Sequence, residues 1–250
     1  MTNNNNHAPV ALITGAAKRV GAAIAEALHA KGYNIIIHCR HSTQEAFALS
    51  EFFNHNRSGS ARVLTADLSV HQEVITLAQQ ALSTFGRIDV LINNASSFYA
   101  TPIALASESD WDALFSSNVK APYFLASALA DELKARQGAI INISDIYARH
   151  PLKQFSIYSM AKAANEMMTK SLAIELAPSV RVNGIAPGAI MWPANETDDH
   201  QKQQSILEKI PLERIGDTSD IAKAVLFLLR DAPYINGQIL TLDGGRSLRV

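Results

Sequence analysis

Short continuous apolar runs alternate with longer stretches whose apolar residues return every three to four positions, and the alternation persists along the whole chain. The runs Val10–Thr14, Asn34–His38, Arg62–Ala66, Asp89–Ile92, Ala139–Ile143, Arg181–Ile185 and Gln238–Leu242 predict strands. Most are apolar without alternation, as expected of a parallel sheet covered on both faces. Between them, Val20–Lys31, Thr43–Asn56, His71–Phe85, Trp111–Arg136, Ile157–Ala177 and Ser219–Leu229 predict helices. Regular strand–helix alternation predicts an α/β fold: one doubly wound parallel sheet of about seven strands, flanked by helices and joined by right-handed crossovers. No repeat, linker or composition shift marks a second domain, so residues 9–250 read as one unit. Residues 1–8, with their asparagine run, read as a disordered tail. The least regular stretch is Gly188–Gln203, and a loop around 188–209 reads as a substrate lid.

Composition narrows the partners. The chain has 250 residues, 48% hydrophobic and 18% charged, enough for a substantial core. A formal net charge of −1 without basic or acidic blocks argues against nucleic acid and anionic membranes. No apolar run reaches transmembrane length and the polar start has no signal-peptide core, so a cytoplasmic protein is expected. Cys39, the single cysteine, excludes an internal disulfide and a cysteine-based zinc site and reads as a small core residue. The eight histidines show no metal spacing and are expected mostly at the surface; no metal is expected.

Strand ends supply the candidate chemistry. Thr14-Gly15-Ala16-Ala17-Lys18-Arg19-Val20-Gly21 follows the first strand and opens the first helix, where a dinucleotide pyrophosphate meets free N–H groups and the helix dipole. Gly15, Lys18, Arg19 and Val20 are therefore candidate cofactor contacts. The second strand ends in Arg40-His41-Ser42, with no acid until Glu45. An acid there would hold a ribose 2′-OH, whereas Arg40, His41 and Ser42 offer charge and donors to a 2′-phosphate, which favours NADPH over NADH. A solvated basic turn is the competing reading. Asp67-Leu68 closes the third strand, where Asp67 can accept from an adenine amine. Asn94, Ala95 and Ser96 close the fourth, where a simple turn is the alternative.

Tyr158 and Lys162 stand four residues apart in a helical stretch, on one face. A cation beside a phenol favours phenolate and lowers its pKa, and a tuned tyrosine can exchange a proton with a reacting atom. A solvated Tyr/Lys face is the bland alternative. Taken with Thr14-Gly15, Asn93-Asn94-Ala95, Asn118, Pro187-Gly188 and Asp243-Gly244-Gly245, the chain resembles the short-chain dehydrogenase/reductase family over essentially its whole length. The resemblance implies a Rossmann-like fold with Tyr158 as proton donor, Lys162 depressing its pKa and holding the nicotinamide ribose, and Asn118 anchoring a proton-relay water. It also implies cofactor contacts at Pro187 and Gly188.

Two departures from the general family pattern point further. Arg19 stands where the middle glycine of T-G-x-x-x-G-x-G is usual, and Asp145 stands thirteen residues before Tyr158, where a serine is usual. Both are similar to the pteridine reductase subgroup, as are Asn93-Asn94-Ala95-Ser96-Ser97-Phe98-Tyr99, Asn118–Leu125 and Asp243-Gly244-Gly245-Arg246-Ser247-Leu248. That resemblance implies hydride transfer from NADPH to a dihydropterin, or to dihydrofolate, with Asp145 and Tyr158 as a coupled acid pair. Phe98 would stack on the pterin, a core aromatic being its alternative role. Arg19 and Ser96 would bond to the pterin edge or cofactor phosphate, and Met191 and Trp192 would cap the pterin side chain, although Trp192 also suits a subunit contact. The alternatives are a carbonyl reductase acting on a 3-oxoacyl thioester or a sugar or polyol, and, more remotely, a non-catalytic NADPH sensor. A homotetramer is implied, with Trp111–Arg136 and Ile157–Ala177 forming a dimer face. The segment Arg246-Ser247-Leu248-Arg249-Val250 is expected to reach a neighbouring subunit's site.

Overall fold

The computed structural model describes residues 8–191 and 200–248. Seven strands form one parallel sheet in the order β3-β2-β1-β4-β5-β6-β7. They are β1 Val10–Ile13, β2 Asn34–Cys39, β3 Ala61–Thr65, β4 Val90–Asn93, β5 Ala139–Ile143, β6 Arg181–Pro187 and β7 Ile239–Leu242. The helices are α1 Arg19–Ala30, α2 Thr43–Asn56, α3 His71–Phe85, α4 Glu108–Phe115, α5 Ala121–Ala135, α6 Ser156–Glu175, α7 His200–Leu207 and α8 Thr218–Leu226. This is the doubly wound, Rossmann-like arrangement the apolar runs predict.

Two cores sandwich the sheet. On one face β-strand residues such as Leu12, Leu91 and Ile140 meet Val74, Leu77 and Ala81 of α3, Leu125 and Leu129 of α5, and Leu172 of α6. On the other, Ile13, Ile35, Ile37 and Ile92 meet Ile24 and Leu28 of α1, Phe53 of α2, and Ile221 and Val225 of α8. The strands β1, β2, β4 and β5 are fully buried, which is why they read as mostly apolar runs. The winding direction reverses between β1 and β4, which pair in register at Ala11–Val90 to Ile13–Ile92. That reversal opens the crevice at the strands' carboxyl ends where such sheets bind ligands.

Several expectations need correction. Trp111–Arg136 is two helices joined by a widened turn over Ser116–Lys120. The cause is Pro122, which has no N–H to give to the carbonyl of Asn118 four residues back. Ala121 instead donates to Ser116, five residues back. The tail of Ser219–Leu229 likewise widens over Phe227–Asp231. Within the stretch expected to be irregular, α7 begins at His200. Its sequence lacks an apolar stripe but is rich in glutamine, a good helix former. Trp192, residues 1–7 of the expected tail, and Arg249 lie outside the described residues. Cys39 is buried as expected. Two histidines depart from the surface expectation. His29 is buried with Nε2 2.7 Å from Ser60 Oγ and its ring stacked on Phe53, and His38 is buried at the end of β2.

Candidate active site

The first loop is clamped at the winding reversal. Thr14 Oγ1 accepts from the backbone N–H of both Asn94 and Ala95, each at 3.0 Å. The Asn94 side-chain amide donates back to the carbonyls of Thr14 and Gly15 at 2.9 and 3.0 Å. Asn94 and Ala95 thus set the shape of the loop. Gly15 has φ +62°, and a Cβ there would press on Ala95 Cα at 3.0 Å. At Gly21 a Cβ would lie 2.2 Å from the Gly15 carbonyl oxygen, so helix and loop approach only without a side chain.

His38 was missed by sequence reasoning, which saw it only as a strand residue. The Gly15 N–H points at its Nδ1, 3.2 Å away, and its Nε2 lies 3.1 Å from the Ala66 carbonyl. Nδ1 must therefore accept and Nε2 must carry the proton, which makes the ring neutral. Burial pushes its pKa down, in agreement. The signal was available: a histidine directly after three isoleucines and before Cys39.

The start of α1 suits a dinucleotide phosphate. Its N-cap, Lys18, makes no side-chain cap, and no acid stands in the first turn. The first N–H groups and the positive end of the dipole are left for an anion. Lys18 and Arg19 are exposed beside it, with Lys18 paired to Glu45 at 2.6 Å. Arg19 has φ +53°, the left-handed region that explains why glycine is usual at this position. Val20 packs against the core. At the end of β2, Arg40 and His41 are exposed and Ser42 is half-buried, while Arg40 reaches Asp67 at 3.6 Å. Asp67 accepts from the backbone and hydroxyl of Ser69. Leu68 turns its side chain into the core. Pro187 ends β6, and Gly188 donates to Leu242 while abutting Asp243 so closely that a Cβ would stand 2.7 Å from it. The residues present fit a dinucleotide.

Asp145 and Tyr158 meet. Tyr158 Oη donates to Asp145 Oδ2 at 2.7 Å, and the Tyr147 backbone N–H donates to Asp145 Oδ1 at 2.9 Å. Burial pushes the Asp145 carboxyl above the usual carboxylate range, against the hydrogen bonds of Tyr147 and Tyr158 and the charges of Lys162 and Arg246. Tyr158 is pushed well above 10 by burial and the adjacent Asp145 charge. This corrects the expectation of a depressed phenol. Lys162 is fully buried, donates to the Ile143 carbonyl at 2.9 Å, and is itself lowered by burial to about 8. Its Nζ stands 5.8 Å from the Tyr158 ring centre.

Asn118 lies buried in the widened turn. Its side chain donates to the carbonyls of Leu114 and Ser97, and its own carbonyl accepts from Asn165 at 2.8 Å. A buried polar ladder continues behind it: Asn165 O, Thr169 Oγ1, Asn142 and Asn93 are linked at 2.8 to 2.9 Å. Asn142, alone among four apolar residues in β5, was its visible sequence signal.

Phe98 is 52% exposed, so it is not a core aromatic. It stacks on Phe155 at 4.6 Å and meets Tyr158 edge-on at 4.8 Å. Its ring thus lies beside that of Tyr158, with Phe155 as an unforeseen neighbour. Ser96 is exposed on the same loop. Met191 is 40% exposed at φ +57°, its N–H donating to Gly216. Among the described residues no group of three His, Cys, Asp or Glu side chains could hold a metal, and no helix is long and apolar enough to cross a membrane.

A family model described as Enoyl-(Acyl carrier protein) reductase, of the short-chain dehydrogenase type, matches residues 15–247. The chain is 37% identical to Pteridine reductase 1 of Leishmania tarentolae, over 96% of this chain and 97% of that protein. It is 33% identical to a 3-oxoacyl-acyl-carrier-protein reductase of Staphylococcus aureus, over 94% of this chain and 96% of that one. It is 31% identical to a putative ketoacyl reductase of the granaticin polyketide synthase of Streptomyces violaceoruber, over 99% of this chain and all of that protein.

Proposed function

The chain belongs to the short-chain dehydrogenase/reductase family, and from that premise we propose that this oxidoreductase is an NADPH-dependent pteridine reductase. One observation carries the reading: the 2.7 Å bond between Tyr158 and Asp145, an acid where the family's carbonyl reductases place a serine. Bound NADPH supplies the hydride that reduces a C=N bond of the pterin. Lys18, Arg19 and the open start of α1 hold its phosphates. Arg40, His41 and Ser42 hold the 2′-phosphate, Asp67 and the Leu68 backbone the adenine end, and Pro187 and Gly188 the nicotinamide end. Phe98 presents an aromatic face to the pterin ring, a contact worth about 0.5–1.5 kcal/mol beyond area burial. Ser96, Arg19 and Met191 line the ring's edge and side chain.

Tyr158 gives its hydroxyl proton to the ring nitrogen. Beside an ionised Asp145 it is a poor acid, because burial and the carboxylate charge both raise its pKa. With Asp145 protonated, the carboxyl O–H stabilises the phenolate that forms, so the doubly protonated pair is the active form. Because Asp145 titrates above the usual carboxylate range, that form persists at mild acidity and is lost as pH rises through the pair's macroscopic pKa. Turnover is therefore expected to fall as pH rises.

Purified protein is to be tested for NADPH oxidation with dihydrobiopterin, dihydrofolate and an acetoacetyl thioester side by side. The expected result is turnover with a pterin, lost by about 10²–10⁴-fold in Asp145→Asn and Tyr158→Phe while NADPH still binds. Turnover of the thioester alone would favour the second reading, a carbonyl reductase, which the similarity to two ketoacyl reductases supports. Tight NADPH binding without turnover would favour the sensor. We also infer a homotetrameric, cytoplasmic enzyme. The tetramer reading is supported by exposed apolar residues on α6 and beside edge strand β7, including Met167 and Phe227.

A further inference from the structure

The chain's last described turn reaches its own candidate site. Asp243, just beyond β7, accepts from the N–H groups of Gly245 and Ser247 at 2.9 and 2.6 Å, and so fixes the turn over Arg246–Leu248. Gly244 and Gly245 have φ +64° and +86°, and a Cβ on Gly245 would lie 2.9 Å from Pro211. The turn is therefore pinned against the segment that follows α7. It presents Arg246, whose Nη2 donates to the Tyr147 hydroxyl at 3.2 Å while its guanidinium stands 5.8 Å from that ring's centre. Tyr147 in turn gives its backbone N–H to Asp145, and Asp145 accepts from Tyr158. One side chain from the C-terminal turn thus leads through two hydrogen bonds to the carboxylate, the first of them spanning 99 residues of sequence.

We propose that Arg246 is a positioning residue for the Asp145–Tyr158 pair, holding Tyr147 in place and setting, by its charge, how readily the Asp145 carboxyl keeps its proton. This rests on the reading of Asp145 and Tyr158 as the proton-donating pair, but not on a pterin as substrate.

Four groups face the Asp145 carboxyl: Tyr147 from its own turn, Tyr158 and Lys162 from α6, and Arg246 from the C-terminal turn. The two cations favour the carboxylate. Of these, Lys162 is anchored to the Ile143 carbonyl, whereas Arg246 is held to the site by Tyr147. Removing Arg246 withdraws a positive charge, so Asp145 should hold its proton to higher pH. The active, doubly protonated form then persists further into the alkaline range, but Tyr147 and Asp145 lose their fixed geometry, and the rate at the plateau falls.

The test combines two readouts on Arg246→Met, Arg246→Lys and Tyr147→Phe. Carbon NMR of side-chain-labelled aspartate follows the Asp145 carboxyl in the full-length protein without cofactor, assigned by its loss in Asp145→Asn. The pH profile of NADPH oxidation is taken with whichever substrate the parent turns over. Arg246→Met is expected to move the carboxyl midpoint and the alkaline limb upward together, and to lower plateau kcat by roughly ten- to a hundredfold with the KM for NADPH unchanged. Arg246→Lys should return both midpoints most of the way towards the parent. Tyr147→Phe, which removes the hydroxyl that seats the guanidinium, should shift them in the same direction as Arg246→Met. An unmoved carboxyl midpoint in folded Arg246→Met would overturn the proposal. Should that variant not fold, an unmoved midpoint in Tyr147→Phe would do so. If Asp145→Asn keeps full turnover, the reading of the acid pair fails instead, and the NMR titration still reports on Arg246.

Discussion

Arg19 occupies a backbone conformation, φ +53°, that costs an L-residue about 1–2 kcal/mol relative to the right-handed region. Strain of that kind persists where the side chain is needed, and this one stands exposed at the uncapped start of α1. Arg19→Gly tests the trade. Glycine removes the strain, partly offset by the larger freedom it restores to the unfolded chain. A net gain of about 1 kcal/mol would raise Tm by roughly 2–4 °C in a chain of this length. The lost guanidinium should weaken NADPH, raising its KM about tenfold or more, as expected for a charge-assisted hydrogen bond worth about 1.5–3 kcal/mol. Thermal melting and the KM for NADPH, measured on one preparation, decide it. A variant that melts lower and binds NADPH as before would show that the arginine serves the fold alone. Glycine in the family's pattern made Arg19 conspicuous in the sequence, but the reason for the glycine, a left-handed backbone, is visible only in three dimensions.

At the scale of elements, Pro122 joins fold to site. Because residue 122 has no N–H, the Asn118 carbonyl is released from the helical ladder and accepts from Asn165 on α6, three residues after Lys162. The same asparagine's amide holds the Ser97 carbonyl, next to Phe98. One proline therefore couples the aromatic loop, the widened turn and the helix carrying Tyr158 and Lys162. Pro122→Ala should restore a regular ladder and keep or raise thermal stability, while drawing the Asn118 carbonyl away from Asn165 and lowering kcat about tenfold through misplacement. Unchanged kcat in a variant whose crystal structure shows a continuous helix would break this link. The proline stood in the sequence, yet Trp111–Arg136 read as one helix because its apolar period runs on through the break. Strands were more legible, since full burial leaves the central ones mostly apolar. The separation of Asp145 from Tyr158 and the pair Tyr158–Lys162 were legible too, being local. The contact of Arg246 with Tyr147 and the neutral tautomer of His38 were not, because each depends on which loops the sheet brings together.

For the whole molecule, the proposed assembly follows from what α6 leaves uncovered. Met160, Met167 and Ile174 are spaced by seven residues and are 45%, 61% and 79% exposed, so they form a stripe along one side of the helix. Tyr123 of α5 is exposed as well. An apolar stripe of this length on a folded domain marks a contact surface. A second apolar patch lies at the far side of the sheet, where Leu212, Phe227 and Leu240 are exposed near β7, an edge strand with unpaired backbone groups. Two separate self-complementary faces on one chain generate a closed tetramer of dihedral symmetry. Placing charges in the first face should remove one of its two axes and leave the other. Met167→Glu with Ile174→Glu is thus expected to yield dimers by light scattering, with helix and sheet content unchanged by circular dichroism, because both side chains are already mostly exposed in the monomer. Tetramers that survive the double substitution would place the interface elsewhere, and a parent protein that runs as a monomer would remove the assembly altogether.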